Sequence, residues 1–169
     1  MRRGMTVEAL KNFMLEQGPS KNTNLQEWDK IWALNKDIID PITPRYTAIV
    51  EKSACKLTIE NGPLLREARS QPMHPKNTSL GSKAVFYGKD LLIEKDDAEG
   101  IQVGQKITLM KWGNCFITKK VVEDGQIHLF GTINEEDKDF KGTVKVTWIC
   151  NDPATTMKLK IIEFDHLIN

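Results

Sequence analysis

Apolar positions recur at i, i+3, i+4 and i+7 through the first part of the chain, and beyond Pro44 they switch to short runs with a period near two. The first pattern predicts helices. Thr6 is placed to cap one over about residues 7–17, where Val7, Leu10 and Met14, with Phe13 beside them, form one stripe before Gly18-Pro19 stops it. Asn24 and Glu27 have capping-box spacing, and Leu25, Trp28, Ile31, Trp32, Asn35 and Ile38 follow until Asp40-Pro41, which predicts a second helix over 25–38. The Trp28/Trp32 pair, at i and i+4, is expected to pack in a core rather than to hold a ligand.

The second pattern predicts strands at 46–50, 55–59, 83–87, 91–93, 106–110, 116–122, 127–133, 143–150 and 158–164, parted by Gly, Asn, Asp and Pro. Evenly spaced short strands with no helices between them point to an antiparallel barrel or sandwich. The longest connections, 61–82 and 95–103, are read as loops, the usual carriers of function on a β scaffold.

Composition narrows the possibilities. With 169 residues, 40% of them hydrophobic, the chain can bury one core, and a formal charge of +1 means that any nucleic-acid site must be a local cluster. The three cysteines, Cys55, Cys115 and Cys150, show no CxxC pair and no zinc-ligand spacing with histidine, so reduced thiols in a cytoplasmic protein are expected. No apolar run approaches the roughly 18–20 residues needed to span a bilayer. His74, His128 and His166 stand near no nucleophile motif, and no glycine loop is built to cradle phosphate. The acidic runs at 94–99 and 135–139 lack calcium-loop spacing and read as solvated turns. A binding module without a catalytic site, cofactor or metal of its own is the reading that remains.

Lys106, Lys111, Lys119, Lys120, Lys141 and Lys145 gather around the hairpins, and the stretch KITLMKWGNCFITKK places a Trp-Gly-Asn turn between lysines. Exposed aromatics beside lysines are what a β-barrel uses to bind single-stranded RNA, although edge lysines also protect sheets from aggregation. Trp112 either covers the barrel mouth or offers its face to RNA. The apparent turn and the charge of Lys111 favour contact.

Several segments go beyond composition: RRGMTVEALKNFMLEQG, EWDKIWALNKDIIDPITPRYTAIV, HPKN, WGN, KVTWI and FDHLI. Together they resemble the C-terminal half of glutamyl-tRNA synthetases of the eukaryotic and archaeal type. The resemblance implies an α+β, mainly β fold, with a helical subdomain over 1–42 linking a catalytic core to an anticodon-binding β-barrel region over 43–169, the latter incomplete at its C-terminus. It also implies a longer parent that binds tRNA(Glu), carries ATP and magnesium chemistry on an upstream Rossmann domain, works in the cytoplasm, and can join a multi-synthetase assembly. In the related glutaminyl enzymes, the arginine of the Pro-Arg segment contacts the middle anticodon base, and that position is Arg45 here. A surface ion pair after Pro44 is the plainer alternative, and the base contact is favoured over it. Thr108 and Met110 stand where bacterial glutaminyl enzymes have two arginines, so those contacts do not carry over. The RNA-binding candidates are Arg45, Lys111, Trp112, Asn114, Arg2 and Arg3. Glutaminyl specificity and a protein-interaction barrel are the alternatives.

Overall fold

The computed structural model describes residues 4–23 and 25–162. The chain divides into two compact units, one comprising Met1–Tyr46 with Ser70–Lys83 and the other Thr47–Arg69 with Ala84–Asn169. The first unit thus includes 70–83, which the sequence pattern places in a loop of the β region.

In the first unit α1 (Val7–Glu16) follows the expected cap, with Thr6 Oγ1 accepting from Ala9 N, and it ends where Gly18 takes φ 72°. Helix α2 (Trp28–Ile39) begins later than the capping box suggests: Glu27 is its N-cap and supplies no side-chain bond. Asn24 lies outside the described residues. The two helices meet through one small, one branched apolar and one polar side chain. Ala9, Ile31 and Asn35 are buried; Asn35 accepts from Thr6 N at 2.8 Å and donates to Gly4 O at 3.1 Å. That interface leaves the bulky stripe outside, so the expectation of a tryptophan core is corrected: Trp28 is 65% and Trp32 41% exposed, and Val7, Leu10 and Met14 are exposed as well.

The second unit is built on a seven-stranded sheet of order β8-β5-β6-β7-β1-β4-β9. Its strands are β1 (Cys55–Ile59), β4 (Asp90–Ile93), β5 (Lys106–Leu109), β6 (Gly113–Glu123), β7 (Gln126–Asn134), β8 (Val144–Val146) and β9 (Trp148–Cys150), while β2 (Glu67–Pro72) and β3 (Ser82–Tyr87) form a separate ribbon. The two outermost strands of the large sheet are consecutive in the chain and joined by Thr147 alone. The sheet must therefore curl until its ends meet, which makes it a nearly closed barrel. Alternation supplies the core: Leu57, Ile59, Leu91, Ile93, Ile107, Leu109, Ile117 and Leu129 point inward and are fully buried. Where β6 crosses β7, a Cβ on Gly131 would lie 2.7 Å from Cys115 Sγ and 2.8 Å from Phe116 O, so only glycine lets the strands close there.

Several expectations change. The sheet is mixed rather than antiparallel, since β1 pairs with β7, and β5 with β8, in parallel. Residues 46–50 form no strand, and neither do 158–162, the described part of 158–164. The acidic stretch read as a solvated turn holds a short helix, α3 (Lys95–Gly100), whose Ala98 is buried. Its C-terminal carbonyls are closed by Lys120, which donates from Nζ to Ala98 O, Glu99 O and Ile101 O at 2.8–2.9 Å.

Candidate nucleic-acid interface

Three aromatic rings fix the β5–β6 hairpin tip. Tyr87, Trp112 and Trp148 pack with centroids 5.0–5.1 Å apart, and each sends its polar atom to a separate acceptor. Tyr87 Oη donates to Lys111 O, Trp148 Nε1 to Met110 O, and Trp112 Nε1 to Glu135 Oε1. Trp112 is only 6% exposed, so its assignment as an open stacking platform is corrected: the ring is core, held edge to face, with its one donor satisfied. The turn also lies earlier than Trp-Gly-Asn. Leu109 pairs with Gly113, leaving Met110, Lys111 and Trp112 as the reversal, and Lys111 takes φ 66°. The backbone passes close at Gly113: a Cβ there would stand 3.2 Å from Asn134 O and Glu135 Cα, so the neighbouring chain would have to give by a few tenths of an ångström.

Asn114 is buried too, against expectation. Its Oδ1 accepts from Thr108 Oγ1 at 2.7 Å, and its Nδ2 donates to Asp139 O at 2.9 Å and Asp137 O at 3.3 Å. The acidic segment beyond β7 is largely exposed, as expected, and is tied down as well. Lys106 Nζ adds ion pairs to Asp137 at 3.2 Å and Asp139 at 3.4 Å. The Asp139 N–H, followed by Asn114 and Lys106, holds the Asp137 carboxyl below its ordinary range. Glu135 is lowered as well, first by Arg69, which bonds it at 3.0–3.2 Å and lies 4.4 Å over the Tyr87 ring. With these acids neutralised at home, Lys111, Lys138 and Lys145 are left around an open cleft of about 490 Å³ whose apolar lining includes Met110 and Phe140.

Arg45 belongs to the first unit. Its Nη2 contacts both Asp40 oxygens at 2.7–2.8 Å, and Nη1 and Nε donate to no described residue. Its backbone N donates to Met73 O at 2.9 Å, and its carbonyl accepts from Lys83 Nζ. That ammonium lies 4.7 Å from the ring centre of Tyr46, which is 71% exposed. An arginine, an open aromatic face and a lysine thus stand side by side, the set that holds a splayed base and its phosphate. Asp40 clamps the guanidinium without burying it, so the ion-pair role and a contact role coexist.

Sequence reasoning singled out Arg45 but treated Tyr46 as strand, and missed Lys83, Lys138 and Phe140. Arg2 and Arg3 lie outside the described residues, as does His166. His74 is buried, its Nδ1 accepting from Lys76 N, and His128 bonds Thr58 and stacks on Phe130 at 4.2 Å. The cysteines are free and buried, and burial pushes the Cys115 thiol up to about 12. Among the described residues no three His, Cys, Asp or Glu side chains are grouped to hold a metal ion, and no helix is long and apolar enough to cross a membrane.

A nearly closed β-barrel accompanied by cations set beside exposed aromatic groups suits the binding of single-stranded RNA. Residues 43–134 match the family described as tRNA synthetases class I (E and Q), anti-codon binding domain, and the chain belongs to that family. It is 46% identical over 168 residues to the cytoplasmic glutamate–tRNA ligase of Saccharomyces cerevisiae, covering 99% of this chain and 23% of that protein. The corresponding ligase of Arabidopsis thaliana is 42% identical, with 99% and 24% covered. The bifunctional glutamate/proline–tRNA ligase of Mus musculus is 40% identical, with 99% and 11% covered. The chain thus spans about a quarter of the length of the first two relatives.

Proposed function

We propose that this chain is the anticodon-binding part of a glutamate–tRNA ligase and that it positions tRNA(Glu) for aminoacylation elsewhere in a longer protein. The observation that carries this reading is the Arg45–Tyr46–Lys83 group, whose Arg45 and Tyr46 are exposed near the opening of the matched segment, with two guanidinium nitrogens that have no partner among the described residues. ATP and magnesium chemistry would belong to the catalytic part of that protein, and this segment would carry none. The names of the relatives support a cytoplasmic setting and glutamate rather than glutamine. The bifunctional relatives support membership of a larger synthetase assembly. The apolar helical face of Val7, Leu10, Met14, Trp28 and Trp32 supports docking of the catalytic domain of the same parent, where burial of each large side chain contributes about 1.5–3 kcal/mol.

The test is a titration with tRNA(Glu) and with transcripts altered at the middle anticodon base. Arg45→Ala should cost about 1–3 kcal/mol of discrimination at that base, by analogy with bidentate base contacts in DNA complexes. An equal loss on every transcript would make Arg45 a phosphate or folding residue. Affinity should also fall steeply with added salt, as phosphate contacts require; a flat salt dependence would favour a protein-docking module instead.

A further inference from the structure

We infer that Asn77 is a positioning residue for the proposed base contact: it holds the turn that carries Asp40 and so aims the Arg45 guanidinium. The inference rests on the tRNA-binding reading and deepens it by assigning what keeps that arginine in place. The Arg45–Asp40 pair cannot do so alone. Both side chains are nearly half exposed, at 47% and 45%, and an ion pair in water holds two side chains only weakly. Their order has to come from the backbone that carries them.

That backbone is anchored from a distant segment of the same unit, residues 73–83. Asn77 Nδ2 donates to Pro41 O at 2.7 Å, within the 3-10 turn Asp40–Ile42 whose first residue supplies the clamping carboxylate. Arg45 N donates to Met73 O at 2.9 Å, and Arg45 O accepts from Lys83 Nζ. These bonds fix both members of the clamp against one support. The support is itself closed: Met73 N donates to Gly81 O, Gly81 N donates to Thr78 O, and the buried His74 ring accepts at Nδ1 from Lys76 N. Both ends of the Asn77 amide are used. Its Oδ1 accepts from Ser79 N at 3.2 Å and from Ser79 Oγ, capping the 3-10 turn Thr78–Leu80, which leaves Nδ2 to face the Pro41 carbonyl. The two ends can therefore be separated by substitution. Asn77→Asp keeps an acceptor for the cap and sets an oxygen, instead of a donor, against the carbonyl. Asn77→Ser also caps, adds no charge, and stops one bond short of the Nδ2 position.

The experiment titrates the chain and its variants with tRNA(Glu) and with transcripts altered at the middle anticodon base, at several salt concentrations, after a melt of each variant. Asn77→Asp and Asn77→Ser should each lower the preference for the native middle base about tenfold, with the salt slope of Asn77→Ser as in the wild type because no phosphate contact is lost. Either change made in the Arg45→Ala background should lower it less than about twofold further, since the amide acts through that arginine. Equal weakening on every transcript, or a melt showing that neither variant folds, would overturn the inference by making Asn77 an RNA or folding residue. So would an intact preference in both variants, or a tenfold loss that persists in the Arg45→Ala background, while Arg45→Ala alone still loses its middle-base preference; those results leave the proposed function standing. A wild-type chain that shows no middle-base preference would remove the Arg45 contact and this inference together.

Discussion

The chain carries two pairs of tryptophans, and the structure treats them in opposite ways. Trp28 and Trp32 share a helix face at ideal spacing yet stand in the open, whereas Trp112, in the hairpin turn, and Trp148, on β9, are buried against Tyr87. Periodicity tells which residues share a face. It does not tell whether that face is covered. In the helical unit the buried contact is made by small Ala9, apolar Ile31 and hydrogen-bonded Asn35, while the large rings face outward. At the hairpin each indole N–H has an acceptor, so burial leaves no donor stranded.

The sharpest way to break this contrast is Trp112→Ala, which should remove roughly 3–5 kcal/mol of stability by opening a cavity against Tyr87 and Trp148. A thermal or denaturant melt reads it directly, and a loss no larger than that of a surface variant would return Trp112 to the outside. A middle-sized effect is expected at Glu135. Its carboxyl is held below the ordinary 4.5 by Arg69 and then by Trp112 Nε1, so its contribution is complete above that pH and is lost as pH falls through the lowered value. Glu135→Gln should melt below wild type at neutral pH and lose less of its stability on acidification; parallel pH profiles would contradict this. The smallest effect belongs to the helix pair. Trp28→Ala and Trp32→Ala should each change the stability of the chain by no more than about 0.5 kcal/mol. A loss matching that of Trp112→Ala would mean the face is covered in solution.

The strands were legible where one face meets the core. β1, with its alternating CKLTI, and β7 lie close to where period and turn residues place them. β2 was invisible because EARSQP has no apolar alternation and pairs only within a two-stranded ribbon. The parallel pairing of β1 with β7 was equally hidden: a period of two fixes which way side chains point and says nothing of which distant strand lies alongside. At the candidate sites, Arg45 came from the resemblance, and its Asp40 partner sits five residues upstream. The destination of Trp112 was set by Glu135, and the cleft by Lys138, Phe140 and Lys145, residues far from the hairpin in sequence. Local pattern cannot supply such partners.

The single residue between β8 and β9 bears on aggregation. A strand edge with unpaired amides is a template for another chain, and proteins blunt it by keeping the edge short or by closing the sheet. Here one segment serves both margins, β8 against β5 and β9 against β4, each strand only three residues long with Thr147 as the seam. While the seam holds, neither margin offers a usable template. If it opens, both are released together, so self-association during refolding depends on how soon residues 144–150 find their two partners.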